Sequence, residues 1–219
     1  MRQVEFRDDS LTGAPVRGLL HRSERSNADG LVLTHGAGAN CRSALLTAVA
    51  EAFCKAGVTV LRCDLPFRQA RPVGPPSRGS AERDQAGLRA AAAALRRETS
   101  GRIYLGGHSY GGRQASMLAA QNPQLADALL LLSYPLHPPE KPEQMRTGHF
   151  STLLTPAFFA SGGKDGFGTR EEFETALRLV PAATKLMIVP GVGHELMGKK
   201  TEAEFPGLLV DSFLRFTTL

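Results

Sequence analysis

The chain has 219 residues, of which 42% are hydrophobic and 21% charged, and its formal net charge is +5. This size and composition predict one soluble globular domain over residues 1–219, and the lack of an uncharged apolar run of about 18 residues excludes a transmembrane helix. The first nine residues mix charges and have no apolar stretch of the secretory type, so we expect a cytoplasmic protein with no membrane partner.

Short apolar runs alternate with longer helix-like stretches, which is typical of βαβ units in a mainly parallel sheet. Seven strands are predicted in chain order, at Val16–His21, Leu31–His35, Val58–Arg62, Arg102–Gly106, Ala128–Ser133, Ala157–Ser161 and Lys185–Val189. Five helices are predicted at Ser43–Ala56, Ser80–Glu98, Arg113–Gln121, Thr169–Val180 and from about Thr201 to Phe216. Several strands are almost continuous in Leu, Val or Ile, so the fold class is α/β, with a sheet covered on both faces.

Helix ends and loops are marked by capping residues and by proline and glycine. Gly57 follows the first predicted helix in the position of a C-terminal cap, and Ser80 and Thr169 precede two others as candidate N-caps. Two Pro- and Gly-rich stretches, Pro66–Gly79 and Pro135–Gly148, each follow a strand. They are predicted to be loops at the edge of the sheet where ligands bind in open α/β folds.

The clearest local motif is G-x-S-x-G, which surrounds Ser109 between a predicted strand and a predicted helix. A sharp strand-to-helix turn needs small residues two positions before and after the serine, and Gly107 and Gly111 meet that need. Such a turn holds its serine in a strained conformation with the hydroxyl exposed above the sheet. Ser109 is therefore the candidate nucleophile.

A serine hydroxyl becomes a good nucleophile only when a base removes its proton and an acid orients that base. Asp165 and His194 lie in Gly-rich loops directly after two predicted strands, in the order acid and then histidine that this kind of turn predicts. Asp64, after the strand Val58–Arg62, is the alternative acid. We predict that Ser109, Asp165 and His194 are the catalytic residues.

An oxyanion hole requires backbone N–H groups that point at the carbonyl oxygen of the substrate. One donor is expected from Tyr110, the residue after the serine. The second is expected from the loop after the strand Leu31–His35, with Ala37 preferred over Gly38. The glycines of this loop allow a close approach of the backbone and an unusual φ.

These motifs resemble the α/β-hydrolase superfamily. The phrases Leu-Thr-His-Gly-Ala-Gly (33–38), Gly-Arg-Gln-Ala-Ser (112–116) and Leu-Ser-Tyr-Pro-Leu-His-Pro-Pro (132–139) are similar to bacterial members related to dienelactone hydrolases and to testis-expressed protein 30. The resemblance implies a mostly parallel twisted sheet with its first strands partly antiparallel, helices on both faces, and Ser109, Asp165 and His194 as the triad.

The sequence departs from this family pattern in two places. Dienelactone hydrolases use a cysteine nucleophile where this chain has Ser109, so their specific activity is not implied. Many relatives carry a helical lid, whereas Leu136–Thr155 is short and rich in proline, so we expect no substantial lid.

The positive charge is concentrated in one segment, because Arg62–Arg97 contains eight arginines and three acids. This segment has three interpretations: a solvated helix face with its loop, a nucleic-acid surface, or recognition of an anionic substrate by Arg62, Arg68 and Arg71. The nucleic-acid interpretation is the least favoured, because the segment contains a single aromatic residue, Phe67, on which bases could stack.

The sequence as a whole predicts a serine hydrolase that cleaves a carboxylic ester, thioester or related acyl bond of a small molecule through an acyl-enzyme. The histidines and the three cysteines show no metal-ligand spacing, so neither a metal nor another cofactor is expected. The alternatives are a non-catalytic interaction module on the same fold, and cleavage of another bond, such as a carbon–carbon bond, by the same triad.

Overall fold

A single eight-stranded sheet runs through the computed structural model, which describes residues 2–198 and 201–218. The strands are β1 (Arg2–Asp8), β2 (Val16–Arg22), β3 (Gly30–Thr34), β4 (Thr59–Cys63), β5 (Ile103–His108), β6 (Ala128–Leu132), β7 (Ala157–Gly162) and β8 (Thr184–Val189). Their order across the sheet is β1-β2-β4-β3-β5-β6-β7-β8. Strand β2 is antiparallel to both of its neighbours. The other six strands, β3 to β8, are parallel to one another.

The sheet is covered on both faces. The helices are α1 (Ala44–Lys55), α2 (Pro66–Ala70), α3 (Ser80–Arg96), α4 (Tyr110–Gln121), α5 (Arg170–Leu177) and α6 (Phe205–Thr217). Apolar residues of α3, α4 and α5 form one buried cluster with the sheet, and those of α1 and α6 form a second cluster. Within β3, Val32 belongs to the first cluster and its neighbours Leu31 and Leu33 to the second, which explains the continuous apolar sequence of this strand.

The seven predicted strands are all present, within two residues at each end, but the sequence did not reveal two elements. Strand β1 lies at the edge of the sheet beside β2, and its sequence is too polar to show the alternation of a half-buried strand. Helix α2 lies inside Pro66–Gly79, which was predicted to be a loop. Proline is tolerated at its first position because the N–H there has no partner within a helix.

The candidate helix caps have different outcomes. Thr169 caps α5 as predicted, since its hydroxyl accepts from the Glu172 N–H and the Glu172 carboxylate accepts from the Thr169 N–H. The prediction for Ser80 is wrong, because it lies inside α3 and the helix follows Gly79, whose φ of 81° favours glycine.

The segment between β6 and β7 contains one short 3₁₀ turn, Phe150–Thr152, and no α-helix. The expected absence of a helical lid in Leu136–Thr155 is therefore a property of the structure. None of the helices among residues 2–198 and 201–218 has the length and hydropathy needed to cross a membrane.

Candidate active site

Ser109 lies on a sharp turn between β5 and α4, where its φ and ψ are 50° and −114°. This conformation is strained for a residue with a side chain. The neighbouring glycines are required by space, because a Cβ at Gly107 would lie 2.7 Å from the carbonyl oxygen of Thr34. A Cβ at Gly111 would lie 2.6 Å from that of His35. The turn therefore exists only with small residues on both sides of the serine.

The side chains of Ser109, Asp165 and His194, which were predicted to act together, are joined by hydrogen bonds. The Nδ1 atom of His194 lies 2.9 Å from Asp165 Oδ2 and 3.1 Å from Oδ1, and its Nε2 atom lies 2.8 Å from Ser109 Oγ. Because a carboxylate can only accept, Nδ1 carries the proton, and Nε2 is left to accept from the serine hydroxyl. This tautomer can take the proton of Ser109.

Burial differs along this chain of hydrogen bonds. The side chain of Asp165 is 1% exposed and that of His194 is 22% exposed, so the acid is enclosed and the imidazole reaches solvent. The Oδ1 atom of Asp165 also accepts from the Phe167 N–H at 3.0 Å. The alternative acid, Asp64, is engaged elsewhere, since its Oδ1 accepts from the Cys41 N–H at 2.7 Å.

Two residues, His108 and Ser133, hold the backbone of His194 through hydrogen bonds. The carbonyl oxygen of His194 accepts from His108 Nε2 at 2.9 Å and from Ser133 Oγ at 2.6 Å. Burial lowers the pKa of His108, in agreement with a neutral imidazole that donates from Nε2. Neither contact was predicted from the sequence, in which Ser133 is simply the last residue of a predicted strand. The ring of Phe167 lies 4.3 Å from that of His194, centroid to centroid, and covers one of its faces.

Both expected oxyanion donors are close to Ser109 in the fold. Tyr110 is the first residue of α4, so its N–H has no acceptor within the helix. Ala37 lines the same cavity as Ser109, and a Cβ at its neighbour Gly36 would lie only 3.0 Å from His108 Nδ1. The expected close approach is thus present. The unusual φ is not, because neither Gly36 nor Gly38 has a positive φ.

An open cavity of about 620 Å³ lies in front of Ser109. Much of its wall is built from small residues of the loop after β3, and the other side is formed by Phe167, His194 and Met197. Among the described lining residues, the side chains that carry a full charge at neutral pH are Glu195 and Glu202. The described wall of this cavity is therefore acidic.

The expectation that Arg62 contacts substrate is wrong. Arg62 is 2% exposed and does not line the cavity. Its guanidinium donates to four protein acceptors, which are His21 Nε2, the carbonyl oxygen of Cys41, Thr47 Oγ1 and Gln3 Oε1. These bonds connect β4 to β2, β1 and α1, so Arg62 stabilises the packing of these elements.

Arg68 and Arg71 are also absent from the cavity wall. Arg68 is 5% exposed, and its side chain donates to backbone carbonyl groups. Arg71 is exposed and donates to the carbonyl oxygen of Pro75 within its own loop. The structure therefore does not support a substrate contact by any of the three arginines, because burial or local hydrogen bonds engage each guanidinium.

Metal-ligating side chains are not clustered in the part of the chain that the structure describes. No group of three or more His, Cys, Asp or Glu residues there has an arrangement that could hold a metal ion. The three cysteines, Cys41, Cys54 and Cys63, are buried and unpaired by disulfides.

The chain belongs to the alpha/beta hydrolase family, since residues 27–207 match the alpha/beta hydrolase domain. Membership of this family supports hydrolase activity in general.

Similar solved structures extend over nearly the whole chain. Est1E from Butyrivibrio proteoclasticus is 16% identical with a TM-score of 0.77, and the alignment covers 98% of this chain and 99% of that one. A dienelactone hydrolase from Anabaena variabilis is 21% identical with a TM-score of 0.76, over 98% and 99%. XC6422 from Xanthomonas campestris, described as an a/b serine hydrolase without lid, is 18% identical with a TM-score of 0.75, over 99% and 95%. At these identities the likeness establishes the fold alone.

Proposed function

We propose that this α/β hydrolase is a single-domain serine hydrolase that cleaves a carboxylic ester, thioester or related acyl bond through an acyl-enzyme. The observation that carries the proposal is the unbroken line of hydrogen bonds from Asp165 through His194 to Ser109, at a strained turn that opens into a cavity. Strain of this kind costs on the order of 1–3 kcal/mol. A binding module would not need to retain it, so the non-catalytic alternative is less favoured.

The reaction follows from the roles that the geometry allows. Ser109 Oγ attacks the acyl carbon while its proton passes to His194 Nε2, and Asp165 stabilises the imidazolium that forms. The amides of Tyr110 and Ala37 donate to the oxygen that becomes negative. His194 then returns the proton to the leaving group, the acyl group stays on Ser109, and water activated by His194 releases it as a carboxylic acid.

The proposed substrate is a small acyl compound without a negative charge. Two exposed carboxylates, Glu195 and Glu202, border the described cavity, and they would repel an anionic group. This replaces the anionic substrate that was one of the three interpretations of the basic segment Arg62–Arg97.

The test is labelling of the purified protein by a fluorophosphonate, which reacts with activated serines, together with hydrolysis of short acyl esters and thioesters. We expect one label per chain, and Ser109→Ala to abolish both labelling and hydrolysis. Loss of a serine nucleophile in such a triad lowers kcat by about 10⁶-fold.

Ser151→Ala is the matched control, because Ser151 is an exposed serine on the 3₁₀ turn between β6 and β7. It is expected to label and to turn over as the wild type does. A folded wild type that resists the probe, or hydrolysis that survives Ser109→Ala, would contradict the proposal.

A further inference from the structure

The guanidinium of Arg68, on α2, lies beneath the loop that carries Ala37. Its donors reach four backbone carbonyl groups, which are those of Ala39 from Nε at 2.8 Å, Arg71 from Nη1 at 3.1 Å, and Ala37 and Gly74 from Nη2 at 2.7 and 3.0 Å. This set uses the rigid fork of a guanidinium, which a lysine ammonium cannot reproduce. One side chain thus joins the loop after β3 to the loop after α2.

Arg68 is a buried arginine with no acidic partner among residues 2–198 and 201–218. It is 5% exposed, and no carboxylate among the described residues lies within 4.0 Å of it. Its guanidinium instead lies 4.9 Å from the centre of the Phe67 ring. Burial of a cation is unfavourable unless hydrogen bonds compensate for it, and an apolar side chain often stabilises such a position better. Stability alone therefore does not explain an arginine here.

The bonded carbonyls belong to the residues that shape the oxyanion site. Ala37 supplies the proposed second N–H donor, and Arg68 holds the carbonyl of this same residue and that of Ala39, two positions along. These carbonyls belong to the Ala37–Gly38 and Ala39–Asn40 peptide planes, so Arg68 fixes the loop immediately after the Ala37 N–H. That N–H shares its own plane with the Gly36 carbonyl, which accepts from the Ala39 N–H at 3.2 Å and so links it to the segment that Arg68 holds. The preceding residue on α2, Phe67, packs edge-on against Tyr110, which supplies the other donor, with ring centres 5.6 Å apart.

We propose that Arg68 is a positioning residue for the oxyanion hole: it fixes the loop from Ala37 to Ala39, and through that loop the direction in which the Ala37 N–H meets the developing negative charge. This inference rests on the proposed function of Ser109. An interaction that is made fully only in the transition state affects kcat, and leaves KM nearly unchanged.

The first experiment measures kcat and KM for Arg68→Ala and Arg68→Lys with the best short ester. Loss of one oxyanion donor lowers kcat by about 10²–10³-fold. Because the donor is displaced and not removed, we expect Arg68→Ala to lower kcat by about 10–100-fold with KM within about threefold of wild type. Arg68→Lys is expected to recover only part of that loss, since an ammonium reaches fewer of the four carbonyls.

Rescue separates positioning from a general loss of structure. Millimolar guanidinium ion is expected to restore part of kcat in Arg68→Ala and to leave wild type unchanged. Arg78→Ala, which removes an exposed arginine from the loop between α2 and α3, is the control and is expected to behave as wild type. If Arg68→Ala does not fold, the split between kcat and KM in Arg68→Lys decides in its place.

The outcomes against the proposal are distinct. Wild-type kcat in a folded Arg68→Ala overturns it, as does a loss that lies in KM alone or a loss that guanidinium does not restore. The fluorophosphonate distinguishes this failure from failure of the proposed function. Equal labelling of wild type and Arg68→Ala removes only the role of Arg68, whereas a folded wild type without a label removes both.

Discussion

His21 and Arg62 form a buried contact between two basic side chains, on β2 and β4. The Nε atom of Arg62 donates to His21 Nε2 at 2.9 Å, so that His21 nitrogen is without a proton. Burial, together with the nearby charge of Arg62, lowers the pKa of His21 to about 4. Burial and the charge of Arg113 likewise lower the pKa of His149 to about 4.

These shifts make the folded state less stable in acid. The ordinary pKa of histidine is about 6.5, so between pH 6.5 and about 4 the unfolded chain binds protons that the folded chain rejects, and the free energy of unfolding falls as the pH falls. We expect His21→Gln, whose amide oxygen can still accept from Arg62, to reduce that fall by about 3 kcal/mol. Urea unfolding of both proteins at pH 7, 6, 5 and 4 measures it.

His149→Gln serves as a companion variant. It is also expected to reduce the fall in the free energy of unfolding over this pH interval. If the free energy of unfolding falls equally with pH in wild type and in His21→Gln, this histidine does not control the acid sensitivity.

The sequence predicted the positions of the candidate active-site residues better than their contacts. Ser109, Asp165 and His194 follow predicted strands, and the carboxyl ends of parallel strands meet at one edge of the sheet. The arginines failed as substrate residues for a related reason. The sequence placed their backbone near that edge, but the direction of a long side chain depends on packing, and Arg62 and Arg68 point into the protein.

At the scale of the elements, the parallel sheet could be predicted because its strands are apolar on both faces. Strand β1 and helix α2 could not be, since each is fixed by contacts with another element and not by an apolar pattern of its own. Strand β1 is fixed by its pairing with β2, and Phe67 of α2 is held by Asp84 of α3, whose Oδ1 accepts from the Phe67 N–H at 3.0 Å. The Oδ2 of Asp84 accepts from the Tyr110 hydroxyl at 2.7 Å, so α3 also supports the other side of the site.

The contact between α2 and α3 is close enough to require glycine. A Cβ at Gly87 would lie 2.6 Å from Cδ and Cγ of Pro66, the first residue of α2. We expect Gly87→Ala to displace α2, to lower the free energy of unfolding by about 1–3 kcal/mol, and to lower kcat through Arg68. Chemical denaturation and ester kinetics on the same samples measure both effects.

Gly207→Ala is the matched control on α6, where an added Cβ meets nothing within 4 Å. It is expected to stabilise the protein by about 0.5–1 kcal/mol through helix propensity, with no change in kcat. A Gly87→Ala variant with the stability and kcat of wild type would show that α2 adapts freely.

For the whole molecule, net charge and the charge at the cavity have opposite signs. The chain carries +5, yet the described cavity wall presents Glu195 and Glu202. For two esters of equal size, one neutral and one with a carboxylate on the acyl chain, we expect kcat/KM to be about 3- to 10-fold higher for the neutral ester at low salt. The double variant Glu195→Gln, Glu202→Gln is expected to narrow that ratio, and added salt to do the same.

Stopped assays with both esters at 20 and 300 mM salt provide the comparison. A preference for the carboxylated ester that persists in the double variant would restore an anionic substrate and require a basic contact outside the described wall.

The connection between β6 and β7 has no α-helix to close over Ser109, and this would affect the fate of the acyl group in the proposed acyl-enzyme. Enclosed sites protect reactive intermediates from solvent, whereas an ester on Ser109 would lie in a cavity that is open to water. A competing alcohol or amine would have to attack the acyl group faster than water at about 55 M does, and no closed pocket would retain that alcohol or amine. The open cavity thus favours release of free acid over transfer of the acyl group to another acceptor.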